Sequence, residues 1–232
     1  AEVEAMAGEV GGGETMTITL SLDASLLDPG EHEMSLLVLS EDELVKQIPI
    51  KVNVTPPQVP FESGAGLFMV SLPISVDKQW HEILNIPEEQ MKLAVYSPQE
   101  GRYQLYSELA PEQRKPKPGV GVWIKLENSV QTTITGIPPK ASEPFAINLY
   151  PGWQIIGVPW QVKWANLKVR KGSEEVSLQQ AAERGWVYEV LWTWDSELGD
   201  YQMVWGGVSG IGLLETLDVF RGYWILAFEE CQ

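Results

Sequence analysis

The fold of this chain is decided by the stretch Pro151-Gly152-Trp153-Gln154-Ile155-Ile156-Gly157-Val158-Pro159-Trp160. It is a short apolar run bracketed by glycine and proline, a pattern that predicts a buried β-strand with defined ends. A counterpart stands earlier in the chain, at Gly66-Leu67-Phe68-Met69-Val70-Ser71-Leu72-Pro73. Two occurrences of one pattern predict a β-module that is present twice.

Other residue pairs repeat at similar distances along the chain. The offset is 86 residues between Pro73 and Pro159, 98 between Tyr103 and Tyr201, and 101 between Trp123 and Trp224. An offset that grows in steps is expected when insertions fall in loops and leave the strands intact. The spacing therefore favours an internal duplication.

The first 55 residues carry a separate β pattern. Apolar and hydroxyl residues alternate over 15–22, which predicts a half-buried strand, and two more strands are predicted at 32–40 and 45–54. The sequence over 17–32, with its Asp-x-x-x-Leu-x-Pro-Gly ending, resembles the second half of a bacterial immunoglobulin-like sandwich, as does the run over 48–55. The opening strands of that family are missing. The resemblance implies a sheet that residues 1–14, the rest of the chain or another chain completes.

The second copy resembles a Trp-rich repeat of secreted bacterial multidomain proteins. The family hallmark is Gly-Trp-Asn-Leu-Ile-Gly-x-Pro with a late Gly-Tyr-Trp, and this chain has Gly152 to Pro159 and then Gly222-Tyr223-Trp224. Gln154 stands where asparagine is usual. The resemblance covers residues 60–232 and implies an all-β extracellular module of a surface or secreted polypeptide. It implies no reaction.

The predicted fold is all-β, in four parts. A partial immunoglobulin-like sandwich over 1–55 leads through a Pro-rich linker at 56–62 to two copies of the Trp-rich module, at 63–127 and 128–232. The capping box Ser177-Leu178-Gln179-Gln180 predicts one short helix ending near Gly185. Pro87-Glu88-Glu89-Gln90 predicts a helical turn.

Charge and motif content exclude several classes of function. The formal net charge is −16, which argues against nucleic acid and anionic membrane surfaces as partners. No apolar run is long enough for a membrane-spanning helix. His32, His81 and the single Cys231 stand in no nucleophile or metal-ligand motif. We therefore expect a protein that is not an enzyme and that needs no cofactor, calcium excepted.

Two groups of residues are candidates for binding. Ten tryptophans are many for this length, and such rings either fill thin β-cores or form stacking platforms for sugars. The candidates for a platform are Trp160, Trp164, Trp192 and Trp194, whereas Trp153 and Trp224 are expected in the core. Three acidic residues lie in one predicted hairpin turn: Asp195, Glu197 and Asp200. Their carboxylates could form a weak calcium site, or the turn could be an ordinary solvated one.

The predicted function is that of a non-catalytic structural or adhesion module of a bacterial cell-surface or filament-forming protein. It is expected outside the cell and acts through contacts with other protein chains, self-assembly included, because an incomplete sheet has an edge open to strand addition. The alternative is a carbohydrate-binding module that uses exposed tryptophan faces.

Overall fold

A computed structural model describes Leu27 and residues 29–40, 43–206 and 213–232. The chain divides into two compact units, 1–56 and 57–232. In the first unit, strand β1 (Gly30–Ser40) pairs antiparallel with β2 (Glu43–Val54), which confirms the two strands predicted there. The strand predicted at 15–22 lies outside the described residues.

The β1–β2 hairpin has two unlike faces. Three neighbouring cross-strand pairs on one face are mainly apolar: His32–Val52, Met34–Ile50 and Leu36–Ile48. On the other face Glu33 and Lys51 form an ion pair at 2.7 Å. None of these side chains belongs to the buried clusters of the described residues, so the apolar face is only half-buried.

The first half of the second unit contains β3 (Gln58–Ser63), β4 (Gly66–Ser71), α1 (Trp80–Leu84), β5 (Lys92–Ser97), β6 (Arg102–Leu105), β7 (Gly121–Leu126) and β8 (Val130–Thr135). Four of the strands form an antiparallel sheet in the order β4-β7-β5-β6, which we call the first sheet. Strands β3 and β8 pair with each other. Short 3₁₀ turns follow at Glu88–Gln90, Tyr106–Glu108 and Pro111–Arg114.

The second half contains β9 (Gly152–Gly157), β10 (Val162–Lys163), β11 (Lys168–Lys171), β12 (Glu174–Ser177), α2 (Leu178–Glu183), β13 (Leu191–Asp195), β14 (Asp200–Val204), β15 (Leu213–Leu214), β16 (Thr216–Leu217) and β17 (Gly222–Ala227). The second sheet has the order β15-β14-β13-β17-β9, with β15 parallel to β14. Apart from β15, this strand order matches that of the first sheet. The predicted all-β fold is confirmed.

The two sheets form a sandwich in which both faces of each sheet are covered. Outward-facing Val70, Val122 and Ile124 pack with Trp80 and Ile83 of α1 in one core. A second core holds the outward-facing residues of the other sheet with α2: Leu191, Tyr223, Ile225, Leu178 and Ala181. Between the sheets lies a third cluster built on Met69, Ile155 and Trp224. Alternation along each strand divides its residues between these layers.

The backbones of the two sheets approach each other closely at glycine positions. A Cβ placed on Gly121 would lie 2.3 Å from Ile155 Cγ2 and 3.3 Å from Gly222 Cα. Two backbone hydrogen bonds join the halves here, from Gly157 N to Gly119 O at 3.3 Å and from Ser71 N to Phe220 O at 3.4 Å. Glycine is required at 121 because any side chain there would force the sheets apart.

Two local predictions are confirmed. Helix α2 begins after Ser177, whose Oγ accepts a hydrogen bond from Gln180 N at 3.2 Å, and it is followed by Gly185 at φ +73°. The turn predicted at Pro87 is a 3₁₀ turn over Glu88–Gln90.

Three details differ from the prediction. Residues 58–62 are not linker but lie in β3, which has its buried Phe61 in the first core and Pro60 on an exposed side of a two-stranded ribbon, where proline is tolerated. Strand β8, predicted to open the second copy, contributes Ile134 to the first core. A second helix, α1, is capped by Gln79, whose N–H donates to Glu82 Oε2 at 2.7 Å. It has five residues, too few to show a helical period.

We expect Gly157→Ala to lower the free energy of unfolding by about 1–3 kcal/mol, because the new Cβ would lie 1.9 Å from Ser71 Oγ and 2.1 Å from Ser71 Cβ. The double variant Ser71→Gly/Gly157→Ala removes both clashing atoms and should recover most of the loss. Urea denaturation measures both. Gly64→Ala is the control, since nothing lies within 4 Å of that site. Equal stability of the two alanine variants would contradict the close approach.

Tyr223 gives a second prediction, on pH. Its hydroxyl accepts a hydrogen bond from Asp218 N at 2.6 Å, and burial raises its pKa from 10.0 to about 12. The unfolded chain releases the proton of the Tyr223 hydroxyl at lower pH than the folded chain does. The stability that comes from this difference in pKa is therefore complete below pH 10 and is lost as the pH rises to about 12. Chemical denaturation of Tyr223→Phe should show a shallower fall in stability over that interval than the wild type. Parallel pH profiles would contradict this assignment.

Candidate functional site: an aromatic groove between the sheets

Aromatic rings fill the space between the two sheets. One tryptophan from each sheet, Trp123 or Trp224, packs against aromatic rings of the other sheet. Trp224 of the second sheet meets Tyr96 and Tyr103 of the first edge-to-face, with ring centroids 5.0 and 6.3 Å apart. Trp123 of the first sheet meets Trp194 and Tyr201 of the second in the same way, at 5.6 and 6.3 Å. Each such pair stabilises the fold by about 0.5–1.5 kcal/mol beyond simple burial.

Strand periodicity places these rings on the facing sides of the sheets. Trp192 and Trp194 are two residues apart on β13 and share the inter-sheet side, as the sequence predicts. Trp192 lies directly opposite Trp224 on β17. Trp153 comes two residues before Ile155, which also lies opposite Trp224. The result is a continuous aromatic layer with Trp224 at its centre.

At one end the aromatic layer opens into a surface groove of about 450 Å³, which we call the aromatic groove. Its six lining residues are all aromatic: Tyr96, Tyr103, Trp153, Trp192, Tyr201 and Trp224. Trp153 is 39% exposed, and Tyr103 and Tyr201 are each 43% exposed, so a ligand can reach their rings. Tyr188 extends this surface, stacked parallel to Trp192 with centroids 5.5 Å apart.

The polar groups of the aromatic groove are neutral. Among the described residues its lining holds three tyrosine hydroxyls and three indole nitrogens but no charged side chain. Burial raises the pKa of the Tyr103 hydroxyl above its ordinary value, against the opposite effect of a hydrogen bond with Trp123. Tyr103 therefore remains an uncharged hydrogen-bonding group at neutral pH.

The structure separates the four predicted platform tryptophans. Trp192 lines the aromatic groove, while Trp194 lies beside it, half-buried against Trp123 and Tyr201. Trp164 is only 5% exposed; it lies in the second core and donates its indole N–H to Glu189 O at 2.8 Å. The structure thus places Trp164 in the core rather than on a binding surface.

Trp160 belongs to a different surface. It is 37% exposed and packs edge-on against Phe145 at 6.1 Å, beside a groove of about 570 Å³ that also contains Arg170 and Glu175. Mostly aliphatic residues of the second core form the floor of that groove, among them Leu191, Leu217 and Ile225.

In the turn between β13 and β14, two carboxylates accept hydrogen bonds from nearby backbone N–H groups. Asp195 Oδ1 accepts hydrogen bonds from Glu197 N at 2.9 Å and Leu198 N at 3.0 Å, and Asp200 Oδ1 accepts one from Tyr201 N at 2.7 Å. The described residues contain no group of three or more His, Cys, Asp or Glu side chains placed to hold a metal ion. The calcium hypothesis for this turn gains no support from its geometry.

Sequence reasoning missed most of the aromatic groove. Trp153, expected in the core, is one of its exposed walls, and Tyr96, Tyr103 and Tyr201 were not candidates. A signal was present, because Tyr103 and Tyr201 share the 98-residue offset and each follows a hairpin turn. The sequence does not show that these two hairpins come together.

Comparisons of the chain with protein-family models, curated proteins and solved structures gave no match. In the part of the chain that the structure describes, the two α-helices span five and six residues, too short to cross a bilayer. Function is therefore inferred from the groove itself.

The contrast between Trp164 and Trp160 can be tested by stability measurements. Trp164→Ala should lower the free energy of unfolding by about 3–5 kcal/mol, because it empties a buried ring site and leaves Glu189 O without its donor. Trp160→Ala should change it by about 1 kcal/mol or less. Thermal or urea unfolding of both variants checks this. Similar losses for the two would contradict the burial of Trp164.

Proposed function

We propose that this chain is a non-catalytic adhesion module of a secreted or cell-surface bacterial protein and that it binds carbohydrate in the aromatic groove. The observation that carries the proposal is a groove lined by six aromatic residues, three of them more than a third exposed. The C–H faces of sugar rings pack on aromatic faces, and tyrosine hydroxyls and indole N–H groups supply hydrogen bonds at the edges. The sequence resemblance supports the extracellular setting of this proposal.

The residue types that line the aromatic groove favour binding over catalysis. General acid–base or nucleophilic chemistry at neutral pH is most effective with a side chain that is nucleophilic or has a pKa near the working pH, placed within reach of the ligand. The described lining offers tyrosine and tryptophan alone. His81, the histidine of the second unit, lies at α1, where its Nδ1 is 2.7 Å from Tyr106 Oη.

We also propose that the two sheets are copies of one module. Their matching strand order supports this, as do glycines with positive φ at corresponding turns, such as Gly101 at +63° and Gly199 at +64°. Under this proposal the aromatic layer is the surface along which the two copies pack.

A structural role through self-assembly is the second candidate. It is favoured by the β1–β2 hairpin, whose strands pair only with each other among the described residues and whose apolar face is half-buried. The partner would be a second copy of this chain, added at an edge of the hairpin that no other described strand occupies. Light scattering over a range of concentrations should then show dimers or longer species. A constant monomer mass would contradict this role.

Carbohydrate binding can be tested by affinity electrophoresis in gels that contain soluble polysaccharides. We expect at least one polysaccharide to retard the wild type, and Trp153→Ala to migrate as it would without polysaccharide, because the exposed ring face is lost. Trp160→Ala removes an exposed tryptophan outside the groove and should be retarded like the wild type. If no polysaccharide in a broad panel retards the wild type, carbohydrate binding is wrong.

A further inference from the structure

We infer that the chain carries one glycan site, in the aromatic groove, where Trp153 and Trp192 contact the ligand. We infer further that this ligand is a neutral glycan of pyranose rings with equatorial substituents. This inference rests on the proposed carbohydrate function. It comes from comparing the aromatic groove with the corresponding place on the first sheet, which has the same strand order but different side chains.

Strand pairing identifies the corresponding positions. On the second sheet, Trp192 lies opposite Trp224, and Trp153 comes two residues before Ile155, the other partner of Trp224. On the first sheet the central ring is Trp123. Ala94 lies opposite it, and Leu67 comes two residues before Met69, its other partner. Leu67 thus corresponds to Trp153, and Ala94 to Trp192.

The central rings are alike at the two places. Trp123 and Trp224 each pack against two aromatic residues from the hairpin of the opposite sheet. The two outer positions differ, because two indoles of the second sheet are replaced by an isobutyl and a methyl group on the first sheet. The first sheet shows that this architecture forms without rings at either outer position.

Folding alone therefore does not account for Trp153 and Trp192. Leu67 is 40% exposed and Trp153 is 39% exposed, so the position is equally open to solvent on both sheets. A large exposed ring there adds apolar surface in contact with water, which is typical of binding sites. We assign the two indoles to ligand contact.

The corresponding place on the first sheet has a different character. The groove there, of about 390 Å³, contains Trp123, Leu67 and Ala94 together with charged side chains, among them Lys92, Lys125, Glu88 and Glu89. A sugar ring would find one indole there, because Tyr106, the other aromatic residue of the lining, is only 2% exposed. One site per chain is therefore expected.

Charge selects a neutral ligand. The described lining of the aromatic groove has no arginine or lysine to pair with a carboxylate or sulfate, and the chain as a whole carries a net charge of −16. Uronic acid or sulfated glycans would be repelled without a compensating contact. Pyranoses with equatorial substituents direct their axial C–H bonds to both faces, which makes them suited to flat aromatic walls.

Isothermal titration calorimetry on the whole chain tests these points with four oligosaccharides: cellohexaose, xylohexaose and chitohexaose as neutral probes and hexagalacturonate as the acidic one. We expect at least one neutral probe to bind with one site per chain, and hexagalacturonate to bind more weakly or not at all. The double variant Trp153→Leu/Trp192→Ala copies the first sheet and should bind at least about tenfold more weakly.

Two controls accompany the double variant. Its unfolding curve should remain cooperative, since the first sheet tolerates the same residues. Leu67→Ala changes the corresponding position of the first sheet and should bind like the wild type.

The outcomes separate the inference from the function on which it rests. Preference for hexagalacturonate, or undiminished binding by a folded double variant, would overturn the inference while carbohydrate binding stood. Two sites per chain would overturn the single-site assignment. Failure of all four probes would overturn the ligand assignment, and the polysaccharide panel above then decides the broader function.

Discussion

The close approach of the two sheet backbones is the constraint on which the rest of the second unit depends. At Gly121 there is no room for a side chain between the sheets, a Cβ at Gly222 would be in tight contact, and Ser71 occupies the space that a Cβ at Gly157 would need. Two residues after Gly121 comes Trp123, and two residues after Gly222 comes Trp224, each on the same face of its strand as the glycine. The gap between the sheets therefore goes from backbone contact to the width of an indole within about 7 Å. This wedge shape makes room for an aromatic layer.

The aromatic layer joins folding and binding in one set of side chains. Its inner rings, such as Trp224, are buried and hold the sheets together, whereas Trp153 and Tyr103 at the open end present ring surface to solvent. Because Trp153 and Tyr103 each contact Trp224 edge-to-face, the exposed walls are held in place by a buried ring. A ligand that stacks on these walls contacts rings whose orientation is already fixed. The entropic cost of ordering the side chains on binding is therefore lower.

Much of this architecture could be predicted from local sequence, and the failures have physical causes. Strands β4 and β9 follow from apolar runs ended by glycine and proline, and α2 from its capping box. Strand β3 was not predicted, because prolines interrupt the alternation of apolar and polar residues that indicates a strand. The aromatic groove could not be predicted because periodicity shows which residues share a face, but burial depends on which distant strand comes to cover that face. Trp153 and Trp164 were misjudged for this reason, in opposite directions.

Phe220 has a consequence for how the second unit unfolds. It has a positive φ of +65°, a backbone conformation unfavourable for a residue other than glycine, and its ring packs edge-on against Phe61 at 5.9 Å, in the core of the other half. Neither half can lose its packing without exposing a surface that the other half covers. We therefore expect residues 57–232, which form one compact unit, to unfold cooperatively, with both halves losing their packing together.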